Sequence, residues 1–202
     1  MLPEYFAYIC ILFGLAGSFY YIRDIFRGNT KPNRVSWIFW MIAPFVGVYV
    51  GYKSGTSVPL LVSTFVGGFI PLLVLIASIF NKNSYWKTTK FDILCGILSL
   101  LAIIIWVTTK NGALSITFAI LADLFASIPT IIKSWKYSKT ENIAPFSFGT
   151  LNQIITFLII TNFSFMNLAF PIYFVLTNLA IILGIKRKQI NKLLSGNIAR
   201  SK

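Results

Sequence analysis

Residues 122–133 have the sequence ADLFASIPTIIK, and this stretch decides how the rest of the chain is interpreted. Asp123 lies within an apolar run, Pro129 follows about two helical turns later, and a basic segment begins at Lys133. A carboxylate within an apolar segment is costly, and a proline interrupts the hydrogen bonds of a helix. The composition of the surrounding chain determines whether these residues lie in a soluble core or in a membrane.

The composition indicates a membrane protein. The 202 residues are 56% hydrophobic and only 11% charged, and the mean hydropathy is +0.77. Soluble domains carry roughly 25% charged residues, whereas a membrane-spanning helix needs about 20 mostly apolar residues. Runs without Asp, Glu, Lys or Arg cover residues 5–22, 35–52, 54–81, 93–109, 111–122 and 142–185. The sequence therefore predicts an all-α polytopic membrane protein.

Seven transmembrane helices fit these apolar runs. The run 142–185 is too long for a single span at a rise of about 1.5 Å per residue, so we expect it to break at 162–167. The predicted spans are 5–26, 35–53, 58–80, 91–109, 113–133, 145–161 and 167–185.

The basic residues predict the orientation of these spans. Sixteen of the 18 Lys and Arg residues fall on one side of the membrane, and only Lys53 and Lys110 fall on the other. Because short cytoplasmic loops are enriched in Lys and Arg, we expect the N-terminus outside and the C-terminus in the cytoplasm. The chain is then a multi-pass protein of the cell (plasma or inner) membrane, with a basic cytoplasmic tail at 187–202.

This topology explains the net charge of +13. The charge favours contact with membrane lipid, and it predicts no nucleic-acid partner because nothing else in the sequence supports one. The sequence has no His, and Cys10 and Cys95 lie in separate apolar runs. We therefore expect no metal site, no cofactor and no enzymatic acid–base pair.

The chain also contains an internal repeat. Residues 11–22 align with residues 120–131, with five identities in twelve pairs. Each copy is followed by a basic, aromatic stretch, then by a polar turn, and then by an aromatic residue at the start of the next span. We expect helices 1–3 and 5–7 to form two parallel triple-helix bundles joined by an inverting helix 4, a 3+1+3 arrangement. The corresponding units are residues 1–84, 85–110 and 111–186, followed by the tail.

Two stretches resemble the PQ-loop/SWEET superfamily, and in particular bacterial PQ-loop-like membrane proteins. They are TKPNRVSWIFW at residues 30–40 and the segment 123–135. The resemblance implies two three-helix bundles around a central substrate path, alternating access, and small uncharged solutes such as sugars as cargo. This chain lacks the family's proline–glutamine pair at this position, because Pro129 is followed by Thr130.

The resemblance also suggests the roles of four residues. Pro44, Pro129 and Pro145 correspond to three of the four helix-kinking prolines of the sugar-transporting members, and Asn178 corresponds to their asparagine on the third helix of a triplet. Each proline is either a hinge for alternating access or a static kink filled by packing.

Asp123 is the strongest candidate for a substrate-binding residue. It lies roughly 15 Å from either end of helix 5, where a carboxylate costs roughly 2.5–3.5 kcal/mol. Burial favours the neutral acid, so Asp123 is predicted to accept a substrate hydrogen bond or to couple transport to a proton. The alternative is a structural hydrogen bond to Asn152, Asn178 or a Ser or Thr on a neighbouring helix.

Further substrate-binding candidates are the polar and aromatic groups within the spans: Asn152, Gln153, Asn178, Thr64 and Trp40. Amide side chains in a membrane either join helices or line a cavity. Trp40 lies one turn inside the predicted interface, where it is placed to stack on a substrate ring.

The sequence thus predicts a small-solute transporter or facilitator with alternating access around a midplane polar site and a sugar-like or vitamin-like cargo. A non-transporting receptor, sorting or scaffold protein is the alternative. The oligomeric state is left open, a homo-oligomer included.

Overall fold

The computed structural model describes residues 6–53, 55, 58–160 and 163–200, and these residues contain seven α-helices and no strand. The helices are α1 (Ala7–Phe26), α2 (Arg34–Lys53), α3 (Val58–Phe80), α4 (Lys90–Thr108), α5 (Gly112–Lys136), α6 (Ala144–Ile159) and α7 (Phe165–Arg200). Short 3-10 turns, Lys82–Ser84 and Ser138–Thr140, precede α4 and α6. Residues 5 and 161, the expected ends of two spans, lie outside the described residues.

Five of these helices are long and apolar enough to cross a membrane. Their apolar segments are Arg34–Lys53, Leu61–Phe80, Lys90–Thr108, Gly112–Lys136 and Asn167–Lys192. α6 is apolar but shorter, and α1 ends in a turn that carries Arg23 and Asp24. The all-helical architecture and these apolar helices agree with a membrane-embedded protein.

The distribution of polar residues is inverted relative to a soluble protein. On α4, Ile97, Leu101 and Ile104 are each about half exposed, whereas Ser99 is fully buried. Among the described residues, buried polar and charged side chains outnumber buried hydrophobic ones. Large contiguous apolar surfaces are rare on soluble monomers, so lipid is the natural environment for the outer faces of these helices.

The starts of α4 and α5 are fixed by side-chain hydrogen bonds to the backbone. Thr89 caps α4 by accepting a bond from the backbone N–H of Asp92, and the Asp92 side chain accepts a bond from the backbone N–H of Thr89, which completes a capping box. Asn111 caps α5 by accepting from the N–H of Leu114.

α7 is longer than the predicted seventh span. The predicted span ends at residue 185 and the predicted basic tail begins at residue 187, whereas the helix continues to Arg200. Residues 186–195 are rich in Lys, Arg, Gln and Leu, which favour helix, and no proline follows Pro171 in this helix. The basic segment therefore extends α7 over the described residues.

The helices pack in a regular order. α3 packs against both α1 and α2, and α7 packs against both α5 and α6. Two further contacts, α1 with α6 and α2 with α5, join these groups, and α4 packs against α5 and α2. A buried apolar cluster at one end of the helices includes Tyr21, Trp37, Val74, Phe146 and Ile181, contributed by α1, α2, α3, α6 and α7 respectively. α5 is thus surrounded by α2, α4 and α7, and its buried residues Asp123, Ser127 and Thr130 face these helices.

Candidate functional site

Asp123 lies near the middle of α5 and is 9% exposed. Its Oδ2 atom accepts a hydrogen bond of 2.6 Å from the Tyr173 hydroxyl on α7 and one of 3.1 Å from the Ser127 hydroxyl. Ser127 follows Asp123 by one helical turn, which places both side chains on the same face of α5. Both of these bonds end on Oδ2, and neither reaches Oδ1.

Trp40 of α2 joins the same group. Its indole Nε1 donates to the Ser127 Oγ at 3.3 Å, and the fully buried Ser127 hydroxyl in turn donates to Asp123. The Trp40 ring also makes edge-to-face contacts with Trp37, at 5.1 Å between centroids, and with Phe146 of α6, at 6.4 Å. We call Asp123, Ser127, Tyr173 and Trp40 the Asp123 cluster; it connects α2, α5 and α7.

Two more buried hydroxyls tie α5 to its neighbours next to this cluster. The Thr130 hydroxyl donates to the Ser36 hydroxyl of α2 at 2.8 Å. The Ser99 hydroxyl of α4 donates to the carbonyl of Ala122 at 2.7 Å. In a membrane such bonds contribute only modestly to stability, about 0.6 kcal/mol on average, but they fix how α5 is rotated. The rotation of α5 directs Asp123 toward α7.

Asn178 and Asn152 lie at other helix contacts. Asn178 of α7 is 6% exposed and faces Gly149 of α6, where an added Cβ would lie 2.9 Å from its Nδ2. That Nδ2 atom is buried without a hydrogen-bond partner. Asn152 of α6 is half-buried and faces Gly14 of α1, where an added Cβ would lie 4.0 Å from its Nδ2.

Thr64 and Gln153 are half-buried. Thr64 of α3 lies against Gly47 of α2, where an added Cβ would lie 3.5 Å from the Thr64 methyl group. Of the six predicted substrate-binding residues, the structure brings Asp123 and Trp40 together through Ser127. It places Asn178 at the contact of α6 with α7, Asn152 at that of α1 with α6, and Thr64 at that of α2 with α3.

The three predicted hinge prolines occupy different positions in their helices. Pro129 is buried within α5, between Ser127 and Thr130 in the chain, and Pro44 lies within α2 one turn after Trp40. Pro145 lies in the first turn of α6, where the backbone N–H has no intrahelical acceptor and a proline removes no hydrogen bond. Pro145 is therefore not a kink in the interior of a helix.

A second buried polar group lies at the end of α5. Lys133 Nζ lies 2.6 Å from Glu141 Oε1, and their side chains are 1% and 0% exposed. The Tyr21 hydroxyl of α1 donates to Glu141 Oε2 at 2.8 Å, and Lys133 also donates to the carbonyl of Thr140 at 3.2 Å. We call Lys133, Glu141 and Tyr21 the Lys133 cluster; it connects α1, α5 and the turn before α6.

The PNRVSW stretch at residues 32–37 lies next to this cluster and makes several contacts between helices. Asn33 accepts from two backbone N–H groups of the first turn of α2 and donates to Asp92 Oδ1 at 3.0 Å. Arg34 donates to the carbonyl of Ser78 of α3 at 2.6 Å. These bonds tie the start of α2 to α3 and α4.

The last residues of the stretch reach the two clusters. Ser36 accepts the bond from Thr130 that is described above, and the Trp37 ring packs against the Tyr21 ring with centroids 5.0 Å apart. Every polar or aromatic residue from Asn33 to Trp37 thus has a partner on another helix. This stretch therefore joins the start of α2 to α1, α3, α4 and α5.

Sequence reasoning missed Tyr173, Ser127 and Glu141. The helical spacing of Ser127 from Asp123 was a usable signal. No sequence signal pointed to Tyr173, because its contact with Asp123 depends on how α7 packs against α5. The sequence predicts that Lys133 lies at a membrane edge, since a basic segment begins there after an apolar run, but the turn that carries Glu141 covers its side chain.

The described residues contain no group of three His, Cys, Asp or Glu side chains that could hold a metal ion. Comparison of the chain with protein-family models, with curated proteins and with solved structures finds no match.

Proposed function

We propose that this protein is a small-solute transporter or facilitator that binds its cargo at the Asp123 cluster. The main support for this proposal is a buried carboxylate that is distant from both ends of its helix. Its Oδ2 atom accepts both hydrogen bonds, and its Oδ1 atom accepts neither. Buried carboxylates in membrane proteins commonly mark substrate or ion pathways.

The packing order supports the 3+1+3 arrangement on which this proposal rests. In one group α3 lies between α1 and α2, and in the other α7 lies between α5 and α6, so corresponding helices have corresponding neighbours. The contacts of α1 with α6 and of α2 with α5 are also equivalent under the repeat. We propose seven transmembrane helices in two parallel bundles, with the Asp123 cluster where α2 of one bundle meets α5 and α7 of the other.

Alternating access then proceeds by rocking of the two bundles. The Lys133 cluster joins α1 to α5 at the end of the path that we assign to the cytoplasm, and its bonds must break when that end opens. The mid-helix prolines Pro129 and Pro44 flank the Asp123 cluster on the two helices that move apart, so they are the proposed hinges. Pro145 is not among the proposed hinges, because it lies in the first turn of α6.

The cluster favours a neutral cargo with hydrogen-bond donors. Asp123 supplies an acceptor, and Trp40 supplies an aromatic face beside it, a combination suited to a sugar-like or vitamin-like solute. Among the described residues no Lys or Arg lies in the cluster to pair with an anionic group.

A ligand screen with an Asp123 variant tests this proposal. The purified chain is heated in the presence of sugars, vitamins and amino acids, and we expect at least one solute class to raise the melting temperature. Asp123→Asn keeps the size of the side chain and should abolish that rise. Asp24→Asn is the matched control, because Asp24 lies at the end of α1 beside Arg23 and Asn142. An equal rise in all three proteins would exclude Asp123 from the site.

A non-transporting receptor, sorting or scaffold protein is the second candidate. It is favoured by the Tyr173–Asp123 bond, which is an interhelical hydrogen bond of the structural kind and needs no ligand. Solute flux into proteoliposomes separates the two candidates: flux supports the transporter, and binding without flux in every solute class supports the receptor.

A further inference from the structure

Three consecutive residues between α5 and α6, residues 140–142, are bonded to the other proposed bundle, and we call them the strap. The three bonds run from the Lys31 N–H to the Thr140 carbonyl at 3.0 Å, from the Tyr21 hydroxyl to Glu141 Oε2 at 2.8 Å, and from Asn142 Nδ2 to Asp24 Oδ2 at 2.6 Å. Tyr21 and Asp24 lie on α1, and Lys31 lies in the loop that follows α1. The bundles cannot separate at this end unless all three bonds break.

Lys133 holds the strap from its own bundle. Its Nζ atom donates to the Thr140 carbonyl at 3.2 Å and lies 2.6 Å from Glu141 Oε1. One oxygen of Glu141 is therefore bonded within its own bundle, and the other is bonded across to Tyr21. Because loss of the Tyr21 bond leaves the ion pair in place, the strap can release α1 without leaving a buried charge unpaired.

Asn142 links the strap to α6. Its Oδ1 atom accepts a bond of 2.7 Å from the backbone N–H of Ala144, the first residue of α6, while its Nδ2 atom donates to Asp24. The same side chain thus joins the start of α6 to the end of α1. A movement that breaks the bond to Asp24 frees the start of α6 from α1.

The helices pack closely on the strap side of the Asp123 cluster and loosely on the other side. On the strap side Ser36, Thr130 and Ser134 are 0% exposed. Away from the strap, every residue of α2 from 38 to 48 is half-buried, so this part of α2 has neither an exposed outer face nor a closely packed one. Residues 112–121 of α5, all of which the structure describes, likewise include no buried residue. The space beside α2 on this side therefore admits water.

We propose that the strap locks the end of the molecule that we assign to the cytoplasm, so that in this conformation the Asp123 cluster is reached only from the opposite side. The cluster becomes accessible from the cytoplasm when the strap releases α1. This inference rests on the two-bundle transporter proposed above, and it assigns the lock of that transporter to residues 140–142.

Thiol labelling measures access from each side without any cargo. Ser36 and Ala43 lie two turns apart on the same face of α2; Ser36 is 0% exposed and Ala43 is half-buried. Each is replaced by cysteine in a background without Cys10 and Cys95. We expect an impermeant thiol reagent to label Ala43→Cys in intact cells. Ser36→Cys should resist the reagent both in intact cells and in inside-out vesicles.

Tyr21→Phe tests the lock, because it removes the hydroxyl bonded to Glu141 and keeps the ring that packs against Trp37. A hydrogen bond to a charged group changes an equilibrium by about tenfold or more. We therefore expect Tyr21→Phe to speed the labelling of Ser36→Cys in inside-out vesicles about tenfold. Tyr20→Phe is the matched control: Tyr20 is the preceding residue, is 43% exposed, and takes no part in the bonds of the strap.

Asn142→Asp tests the second side-chain bond of the strap. The new carboxylate keeps an oxygen for the N–H of Ala144 and places a negative charge against Asp24, so it should repel α1 and also speed the labelling of Ser36→Cys in inside-out vesicles. This variant retains Tyr21, so it tests the lock even where Tyr21→Phe fails to fold.

Three results would overturn the proposal. They are labelling of Ser36→Cys as fast as Ala43→Cys in the otherwise unmodified chain, equal acceleration by Tyr20→Phe and Tyr21→Phe, and unchanged labelling in both Tyr21→Phe and Asn142→Asp. Solute flux is measured separately in proteoliposomes. A strap that responds as expected in a protein without flux would contradict the transporter and leave the lock in place.

Discussion

Individual side chains in this protein are held by polar partners that come from distant parts of the sequence. Tyr21 and Glu141 are 120 residues apart, and Asp123 and Tyr173 are 50 residues apart. Each contact provides a hydrogen-bond partner for a polar group whose burial without a partner in an apolar environment would be unfavourable. At this scale the free energy of a substitution depends on whether it leaves such a group without its partner.

The Lys133–Glu141 pair gives the clearest case. Lys133→Met and Glu141→Gln each leave one charge buried without its counter-charge, so we expect each to reduce the free energy of unfolding by about 3–5 kcal/mol. The double variant removes both charges and should lose less than the sum of the two. Chemical unfolding in mixed micelles measures all three. Lys139→Met, at an exposed position of the same charge, should change stability by less than about 0.5 kcal/mol.

Additive losses in the double variant would show that the two side chains do not interact. In the proposed transport cycle this ion pair also breaks when the end that we assign to the cytoplasm opens. Its removal therefore has a second consequence for the proposed transporter, because a bundle that opens more easily should exchange solute across proteoliposomes faster.

Helix elements approach each other closely at glycines. Gly184 of α7 is buried against the end of α5, and a Cβ added there would lie 2.7 Å from Trp135 Cδ1 and would overlap Ser134. Gly67 of α3 is exposed, and a Cβ added there would meet nothing within 4 Å. The two positions differ only in their neighbours, since both lie inside helices.

Alanine at these two glycines should therefore have opposite effects. Gly184→Ala should lower the free energy of unfolding by about 1–3 kcal/mol, because the α5–α7 contact must open. Gly67→Ala should raise it by up to about 1 kcal/mol through helix propensity. Thermal unfolding of both variants measures the difference. A stable Gly184→Ala protein would show that α7 is not packed against α5 at this depth.

The three prolines show that the position of a proline within its helix determines whether it interrupts the helical hydrogen bonds. Pro129, Pro44 and Pro145 look alike in sequence, and all three were predicted hinges. Pro145 differs because α6 begins at Ala144, which makes it a first-turn proline. The predicted span 145–161 already begins at this residue and α6 begins one residue earlier, so the helix boundary alone separates Pro145 from the two interior prolines.

The orientation of the whole molecule is a prediction that labelling can check. We expect Lys139→Cys to be accessible from the cytoplasm and Lys110→Cys from outside, in a background without Cys10 and Cys95, because sixteen basic residues lie on the side of Lys139. An impermeant thiol reagent added to intact cells should label only Lys110→Cys. Labelling of Lys139→Cys alone would reverse the topology.

Sequence by itself determined the class of protein and the position of most helices. Hydropathy is a local property, so long apolar runs fix helices such as α4 and α5 to within a few residues, and Asp123 is recognisable as an isolated acid within one of them. The sequence also determined that Trp40 and Asp123 were candidates, through depth and chemistry alone.

Only the tertiary structure decided which polar groups meet. Tyr173 reaches Asp123 because α7 packs beside α5, and Lys133 is buried because the turn with Glu141 folds over it. Asn178 and Asn152, as polar as Asp123 in sequence, lie instead against glycines on neighbouring helices. The physical reason is that partner choice depends on the rotation and neighbours of each helix, which are set by packing between segments far apart in the chain.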